Sequence, residues 1–217
     1  MRSGWFWSTQ KWANYQQHYY ADRPHVDEYK SSPLGNGHLF NDRTNYDYAE
    51  HQTQVLDLRQ TEDDLWRGIR KSYRPLINKA LKEYQFSPGT LAEYHRLHAL
   101  ASGRETRSQA TWDCMEFWMA LGYGGLVMAS KDGVVAAGAY FIIYEHAAYY
   151  ASGASVMDNV QHAVIWTAIK RLKDNGARLL ELGQLDGETE KERNIGKFKS
   201  GFGGKSMPFT IARRRPA

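Results

Sequence analysis

Apolar residues follow helical and strand spacings along the chain from residue 55 onwards. Four segments repeat apolar residues every three or four positions, the spacing of one face of an α-helix. These predicted helices are 61–84, 88–103, 112–122 and 159–176. Apolar runs between turn-forming residues predict strands at 126–130, 134–144, 147–152 and 178–182. Together these elements predict an α/β (α+β) fold with a mixed, largely antiparallel sheet and helices on both faces.

Local signals mark the ends and turns of these elements. Thr61 and Asp64 predict an N-terminal cap for the first helix. Pro75 inside that helix predicts a kink, because proline removes a backbone hydrogen bond. The Asp132-Gly133 pair predicts a tight hairpin between two strands.

The first 54 residues differ in composition from the rest. They contain three tryptophans, six tyrosines and four of the eight histidines, with little periodicity beyond a short predicted helix near Thr9–Tyr20. At 217 residues and 42% hydrophobic content, the chain is long enough to bury one good core. We therefore predict an aromatic-rich N-terminal segment, 1–54, followed by one domain, 55–217.

Residues 179–204 combine a short strand, a turn, a charged helix and a glycine-rich stop. Acidic residues lie at the start of the predicted helix, and Lys197 and Lys199 lie at its end. This distribution of charge complements the helix dipole. Phe198 and Lys199 stand just before 201–204, where three of four residues are glycine. Glycine is costly unless the backbone needs a positive φ or a close approach, and a bound chain is one candidate for the approaching group. The segment therefore indicates the edge of a ligand site.

Four blocks of the sequence resemble the FemAB-like acyltransferases, a branch of the GNAT fold that includes the aminoacyl-tRNA-dependent enzymes building peptidoglycan cross-bridges. One block is the ELG of residues 181–183, followed by a polar turn and by FKSGFGG at 198–204. The others are VLDLRQTEDDLWRGIRKSYRPLINKALKE at 55–83, SGRETRSQATW at 102–112, and AYYASGAS to LKDNG at 148–176. The resemblance covers roughly residues 55–212. It implies a GNAT-like fold, with 1–54 as the remnant of the first of the family's two tandem domains.

The resemblance also implies roles for individual residues. Lys199 matches the lysine of the family's FK pair, which neutralises charge that develops near the donor, and so is the expected catalytic residue. Phe198 is expected to wall the acceptor channel, and the basic helix to bind the phosphates of the acceptor. The implied substrate-binding residues are Phe198, Arg70, Tyr73, Arg74, Glu181 and Gly183.

Each of these roles has a structural alternative. A lysine in the last turn of a helix can merely offset the helix dipole, and this applies to Lys199. Arg70 and Arg74 fit an ordinary solvated helix face equally well. Glu181 either orients substrate or is structural. The residues indicate no general base, so the proton of the attacking amine is left to groups of the donor or acceptor.

The function that the resemblance implies is transfer of an aminoacyl or acyl group onto an amine of a cell-wall precursor or nucleotide-linked amino sugar. The donor is aminoacyl-tRNA or acyl-CoA, and no tightly bound cofactor is expected. Acetyl-CoA-dependent GNAT enzymes hold pyrophosphate with a glycine-rich loop before a helix. Here that region reads SVMDNVQHA, residues 155–163, without glycine, which argues against coenzyme A. An acyl-CoA-dependent N-acyltransferase and a non-catalytic RNA-binding module remain as alternatives.

Several other chemistries are excluded or disfavoured. Gly204-Lys205-Ser206 ends like a P-loop but lacks the earlier glycine, since that position holds Lys199. His95 and His98 are three residues apart but have no third ligand, so no metal site is predicted. The single cysteine excludes an internal disulfide and is expected to be a buried thiol.

The distribution of charge matters more than the formal net charge of +4. Residues 191–217 hold eight Lys or Arg and one acid, a basic patch that would attract phosphates, whether on RNA, on a nucleotide-linked substrate or on coenzyme A. For 213–215 alone we favour a solvated tail. The chain shows no signal-peptide pattern, and its longest apolar run, 134–144, is too short to span a bilayer. We therefore expect a cytoplasmic protein without a membrane span, of unspecified oligomeric state.

Overall fold

The computed structural model describes residues 28–30 and 46–215. The predicted short helix near residues 9–20 lies outside this part of the chain. The described helices are α1 (Glu62–Gly68), α2 (Tyr73–Glu83), α3 (Leu91–Ser102), α4 (Gln109–Ala120), α5 (Val160–Asp174) and α6 (Glu190–Ser200). The described strands are β1 (Glu28–Lys30), β2 (Tyr46–Asp57), β3 (Gln85–Ser87), β4 (Gly124–Lys131), β5 (Val134–Tyr144), β6 (Ala147–Ser155), β7 (Leu179–Gln184) and β8 (Lys205–Arg214).

All eight described strands form one sheet, in the order β1-β8-β2-β7-β6-β5-β4-β3. Strands β4, β5 and β6 are joined by tight hairpins, so they pair antiparallel. Helix α5 crosses over between β6 and β7, and these two strands pair parallel. The other neighbouring pairs are antiparallel. The predicted mixed, largely antiparallel sheet is confirmed.

Strand β5 shows why helices cover both faces of the sheet. Ala137, Ala139 and Phe141 point into a core that also contains the buried residues of α1, α2 and α5. Tyr140 and Ile142, which alternate with them, point into a second core built with α3 and α4. Both faces of β5 are therefore buried, and the long apolar run at 134–144 is a central strand.

The predicted helix at 61–84 is two helices, which corrects the predicted kink at Pro75. Thr61 caps α1 as expected, since its side chain accepts a hydrogen bond from the backbone N–H of Asp64. The chain then leaves helical geometry at Ile69, where ψ is 136°. Pro75 is the third residue of α2, where a missing N–H costs no helical hydrogen bond.

Residues 213 and 214, which were expected in a solvated tail, belong to the sheet. Strand β8 pairs with β2 over ten residues and with the short β1 on its other side. Beyond the strand, Arg215 donates a hydrogen bond to the carboxylate of Asp47. Strand β2 also spans the boundary predicted at residues 54 and 55, so residues 46–54 share the sheet of the following domain.

Candidate active site

A cleft opens where β6 loses its parallel partner. The two strands pair only between 147–149 and 179–181, although β6 continues to Ser155. Beyond Tyr149, the space beside β6 is bounded by the segment 156–159, the start of α5, and side chains of α6. This β6–α6 cleft has a volume of about 550 Å³, large enough for part of a substrate.

Helix α6 brings Lys199 to the wall of the β6–α6 cleft. Thr189 and Glu192 form a reciprocal capping box that fixes the start of the helix. At the other end, the ammonium group of Lys199 donates a hydrogen bond to the main-chain carbonyl oxygen of Gln184, 3.1 Å away. Lys199 is half-buried and lines the cleft.

Gly183 provides the space that Lys199 occupies. It has a φ of +84° and follows a bulge in β7, where Leu182 interrupts the register with β2. A Cβ atom on Gly183 would lie 3.2 Å from the Lys199 ammonium nitrogen and 3.2 Å from the hydroxyl oxygen of Tyr149. Tyr149 also lines the cleft. The ELG glycine therefore allows a lysine and a tyrosine to converge at the point where β6 and β7 part.

Phe198 connects the cleft to an aromatic cluster, which consists of Tyr73, His162, Phe198 and Phe202. The ring of His162 lies 4.3 Å from that of Tyr73 and 5.0 Å from that of Phe198, both edge to face. Phe198 and Phe202 pack edge to face at 5.2 Å. Such contacts favour one arrangement of the rings. Phe198 lines the cleft, as its predicted role requires.

Arg70 and Tyr73 lie at the C-terminal end of α6. Arg70 donates hydrogen bonds to the carbonyl oxygen of Lys197 at 3.2 Å and to the hydroxyl of Ser200 at 3.5 Å. The Tyr73 hydroxyl donates to the carbonyl oxygens of Lys197 and Phe198 at 3.4 Å. The carbonyls at a helix end lack helical partners, so these two side chains cap the helix that carries Lys199.

Arg74 caps the C-terminal end of α1, as Arg70 caps that of α6. Its guanidinium donates to the carbonyl oxygens of Ile69 at 3.1 Å and Arg67 at 2.7 Å. The residues predicted to bind acceptor phosphates thus contact backbone carbonyls, while the cleft is lined by α5, α6 and β6.

Glu181 is fully buried beneath this region. Its carboxylate accepts a hydrogen bond of 3.0 Å from the hydroxyl of Thr53 on β2, and its exposed fraction is 0%. It does not line the β6–α6 cleft. Its contact with Thr53 ties β7 to β2.

The glycines of FKSGFGG are explained by the protein's own close packing and need no bound chain. A Cβ atom on Gly201 would lie 2.2 Å from the ring of Tyr73. A Cβ atom on Gly204, where φ is +83°, would lie 2.2 Å from the carbonyl oxygen of Val55. The glycine-rich stop therefore docks the end of α6 onto α2 and the start of β8 onto β2.

His162 is a cleft residue that the sequence did not reveal. It lies in the first turn of α5, and its Nδ1 is 3.0 Å from the carbonyl oxygen of Asn159. Burial lowers the pKa of His162 below its usual value, and the hydrogen bond to Asn159 opposes that shift while the charge of Arg70 adds to it. One histidine on an amphipathic helix carries no local signal, since the cleft forms only when β6, α5 and α6 come together.

The other side chains considered for chemistry have structural partners. His95 stacks on Trp112 at 4.2 Å and contacts Glu105 at 2.5 Å. Cys114 is buried, as predicted, and its sulfur accepts a hydrogen bond from the indole of Trp118. In residues 28–30 and 46–215, no group of three or more His, Cys, Asp or Glu is placed to hold a metal ion. None of the helices in the same residues has the length and apolar character needed to cross a membrane.

Several solved structures share the fold of this chain. FemX superposes with a TM-score of 0.61 at 14% identity, over 73% of this chain and 61% of its own. A C-terminal domain assigned to a lysylphosphatidylglycerol synthetase of Agrobacterium fabrum gives 0.59 at 14% identity, over 79% of this chain and 62% of its own. A conserved protein of unknown function from Bacteroides thetaiotaomicron gives 0.59 at 12% identity, over 95% and 68%.

These similarities define the class of fold. The chain has the fold of FemX and of the synthetase domain, as its resemblance to the FemAB-like acyltransferases implied. It spans less than two thirds of the length of FemX and of the synthetase domain. No protein-family model matches the sequence, and no curated protein matches it either.

Proposed function

We propose that this protein is an acyltransferase that moves an acyl or aminoacyl group onto an amine in the β6–α6 cleft. The observation that carries the proposal is the position of Lys199, a half-buried cation at the wall of a cleft in a FemX-like fold. Lys199 is also the residue that matches the FK lysine of FemAB-like acyltransferases. Sequence motif and cleft thus point to the same side chain.

Acyl transfer to an amine has requirements that these residues can meet. The donor carbonyl and the amine must be aligned, and the negative charge on the tetrahedral intermediate must be stabilised. The Lys199 ammonium supplies positive charge at the cleft wall, and its hydrogen bond to Gln184 fixes its position beforehand. Phe198 beside it provides an apolar wall that excludes water from one side of the reacting groups.

The segment before α5 favours a donor other than acyl-CoA. Residues 156–159 line the cleft where a pyrophosphate-binding loop would stand, and they contain no glycine. We propose aminoacyl-tRNA as the donor and, as acceptor, the amine of a cell-wall precursor or nucleotide-linked amino sugar. Lys191 and Arg193 are exposed on α6, the helix that carries Lys199, and suit a phosphate-bearing substrate.

A donor panel tests the proposal. Purified protein is incubated with a charged aminoacyl-tRNA pool or with a set of acyl-CoA thioesters, each with amine acceptors, and products are identified by mass spectrometry. An amide product from aminoacyl-tRNA alone is the expected result. Product from acyl-CoA alone would keep the acyl transfer but overturn the proposed donor. No amide from either donor class would overturn the proposed function.

A further inference from the structure

We propose that His162 is the general base that takes the proton from the attacking amine. This inference rests on the proposed acyl transfer and names a residue for a step to which neither the sequence nor the resemblance assigns one. It is carried by the position of His162 in the same cleft as Lys199, and by the contacts that fix its ring.

The hydrogen bond to Asn159 assigns the tautomer of His162. A carbonyl oxygen only accepts hydrogen bonds, so Nδ1 must carry the proton that is donated over 3.0 Å to Asn159. In the neutral ring the other nitrogen, Nε2, then holds the lone pair. No residue among 28–30 and 46–215 is hydrogen-bonded to Nε2. A neutral imidazole with its basic nitrogen unengaged is the form that a general base requires.

The backbone at Asn159 is arranged to make this contact. Asn159 precedes the first residue of α5 and has a φ of +66°, in the left-handed region that non-glycine residues rarely adopt. Its side chain makes no capping hydrogen bond to the helix. Its carbonyl oxygen instead accepts from both the backbone N–H and the Nδ1–H of His162. Unusual backbone held in place beside a cleft is typical of functional sites.

The aromatic cluster prevents the ring of His162 from turning away. Tyr73 on α2 and Phe198 on α6 both pack edge to face against it. The charged and titratable groups that act on the ring from the α2 side are Arg70 and Tyr73. Those that line the same cleft are Lys199 on α6, Asp158, Tyr149 and Tyr150. Burial among these groups lowers the pKa of His162, which keeps the ring neutral at physiological pH.

Tyr150, another titratable residue of the cleft, is less suited to the step. Burial raises the pKa of Tyr150 to about 12, so its hydroxyl keeps its proton at neutral pH. Lys199 is engaged with the Gln184 carbonyl as a donor. Of the described residues that line the cleft, His162 alone has an imidazole.

The amine nitrogen attacks the carbonyl carbon of the donor, an ester or thioester, and forms the new C–N bond. The carbonyl π electrons move to oxygen, and an amine proton passes to Nε2 of His162. The intermediate then collapses, the bond between carbon and the leaving oxygen or sulfur breaks, and the leaving group receives the proton from Nε2. His162 returns to its neutral form.

The test measures kcat and KM against pH for the wild type, His162→Gln and His146→Gln, the last as a control at an exposed histidine in the β5–β6 turn. Loss of a general base lowers kcat about 10²-fold or more, with a smaller change in the KM for the acceptor. The wild-type rate should fall only at acidic pH, below the usual titration range of a histidine, because burial lowers the pKa of His162. That fall should be absent from the residual activity of His162→Gln. The control should match the wild type.

Rescue separates a chemical role from packing in the aromatic cluster. His162→Ala leaves a space in the cleft, and added imidazole should restore activity to this variant in proportion to the concentration of neutral imidazole. Unchanged kcat and pH dependence in His162→Gln, or no rescue of a folded His162→Ala, would overturn the assignment of His162. Neither result would contradict the proposed acyl transfer, which is overturned only if the wild type forms no amide.

Discussion

The ammonium nitrogen of Lys199 lies 3.1 Å from the carbonyl oxygen of Gln184, the last residue of β7. This hydrogen bond joins the last turn of α6 to the end of the strand beside which the cleft opens. It holds the cation at a fixed point before any substrate arrives. Preorganised charge of this kind stabilises a developing oxyanion without reorganisation during the reaction.

Replacing Lys199 with alanine should therefore lower kcat by about 10²-fold to 10³-fold, the usual cost of losing one oxyanion donor. Steady-state kinetics on Lys199→Ala measure this. Lys197→Ala is the matched control, because Lys197 is also in the last turn of α6 but its side chain is exposed. An equal loss of activity in both variants would show that Lys199 acts only by offsetting the helix dipole and has no role in the site.

Gly183→Ala should reduce both stability and activity. The positive φ of +84° strains any side chain, and the new Cβ would lie 3.2 Å from the Lys199 nitrogen. We expect a stability loss of about 1 kcal/mol or more and a kcat that falls as Lys199 is displaced. Gly176→Ala isolates the strain, since Gly176 has a φ of +86° with no atom within 4 Å. Thermal melts and kinetics of both variants should show similar stability losses and an activity loss in Gly183→Ala alone.

Arg74→Ala should destabilise the protein, because two carbonyl oxygens at the end of α1 lose a charged donor. The expected loss in the free energy of unfolding is about 2 kcal/mol, measured by urea denaturation. Lys71→Ala is the control, as Lys71 is exposed in the link between the same two helices. If Arg74→Ala kept full stability and raised only the acceptor KM, Arg74 would be a phosphate ligand after all.

Stability should rise with pH between about 4 and 6.5 because of His98. Burial lowers the pKa of His98 to about 4, and the nearby charge of Arg107 adds to this shift. In the unfolded chain the pKa is 6.5, so the unfolded state binds more protons in this window. The contribution of a neutral His98 is complete above pH 6.5 and is lost as pH falls towards 4. One proton gives a slope of at most about 1.4 kcal/mol per pH unit.

Urea denaturation at several pH values measures that slope. His98→Gln should make it shallower, whereas His146→Gln should leave it unchanged because His146 is exposed. His162, whose pKa burial also lowers, accounts for slope that remains in His98→Gln. Identical slopes in the wild type and His98→Gln would contradict the assignment to His98.

Local patterns predicted much of the fold, and distant contacts explain what they missed. The Thr61 cap and the Asp132-Gly133 hairpin depend on neighbouring residues, and both formed where expected. The break between α1 and α2 is stabilised by Arg74, which donates to carbonyl oxygens at the end of α1. Strand β8 was missed because its pairing partner β2 precedes it by more than 150 residues, as Gln54 and Ser206 show.

The same distinction applies to the candidate site. Lys199 and Phe198 were predicted from a motif that one short segment contains, and the structure places both in the cleft. Arg70 and Tyr73 were also part of a contiguous block, but their partners are carbonyls of α6. His162 reaches the cleft only through the packing of α5 beside β6 and α6. Its position could not be inferred from residues near it in sequence.

Amide formation by the wild type, Lys199→Ala and Lys197→Ala tests the central claim most directly. The three proteins are compared in one assay, with aminoacyl-tRNA or acyl-CoA as donor and an amine acceptor, and the product is counted by mass spectrometry. The account predicts equal amide from the wild type and Lys197→Ala, and at least about 100-fold less from Lys199→Ala. Equal product from all three proteins, or no amide from the wild type with either donor, would contradict it.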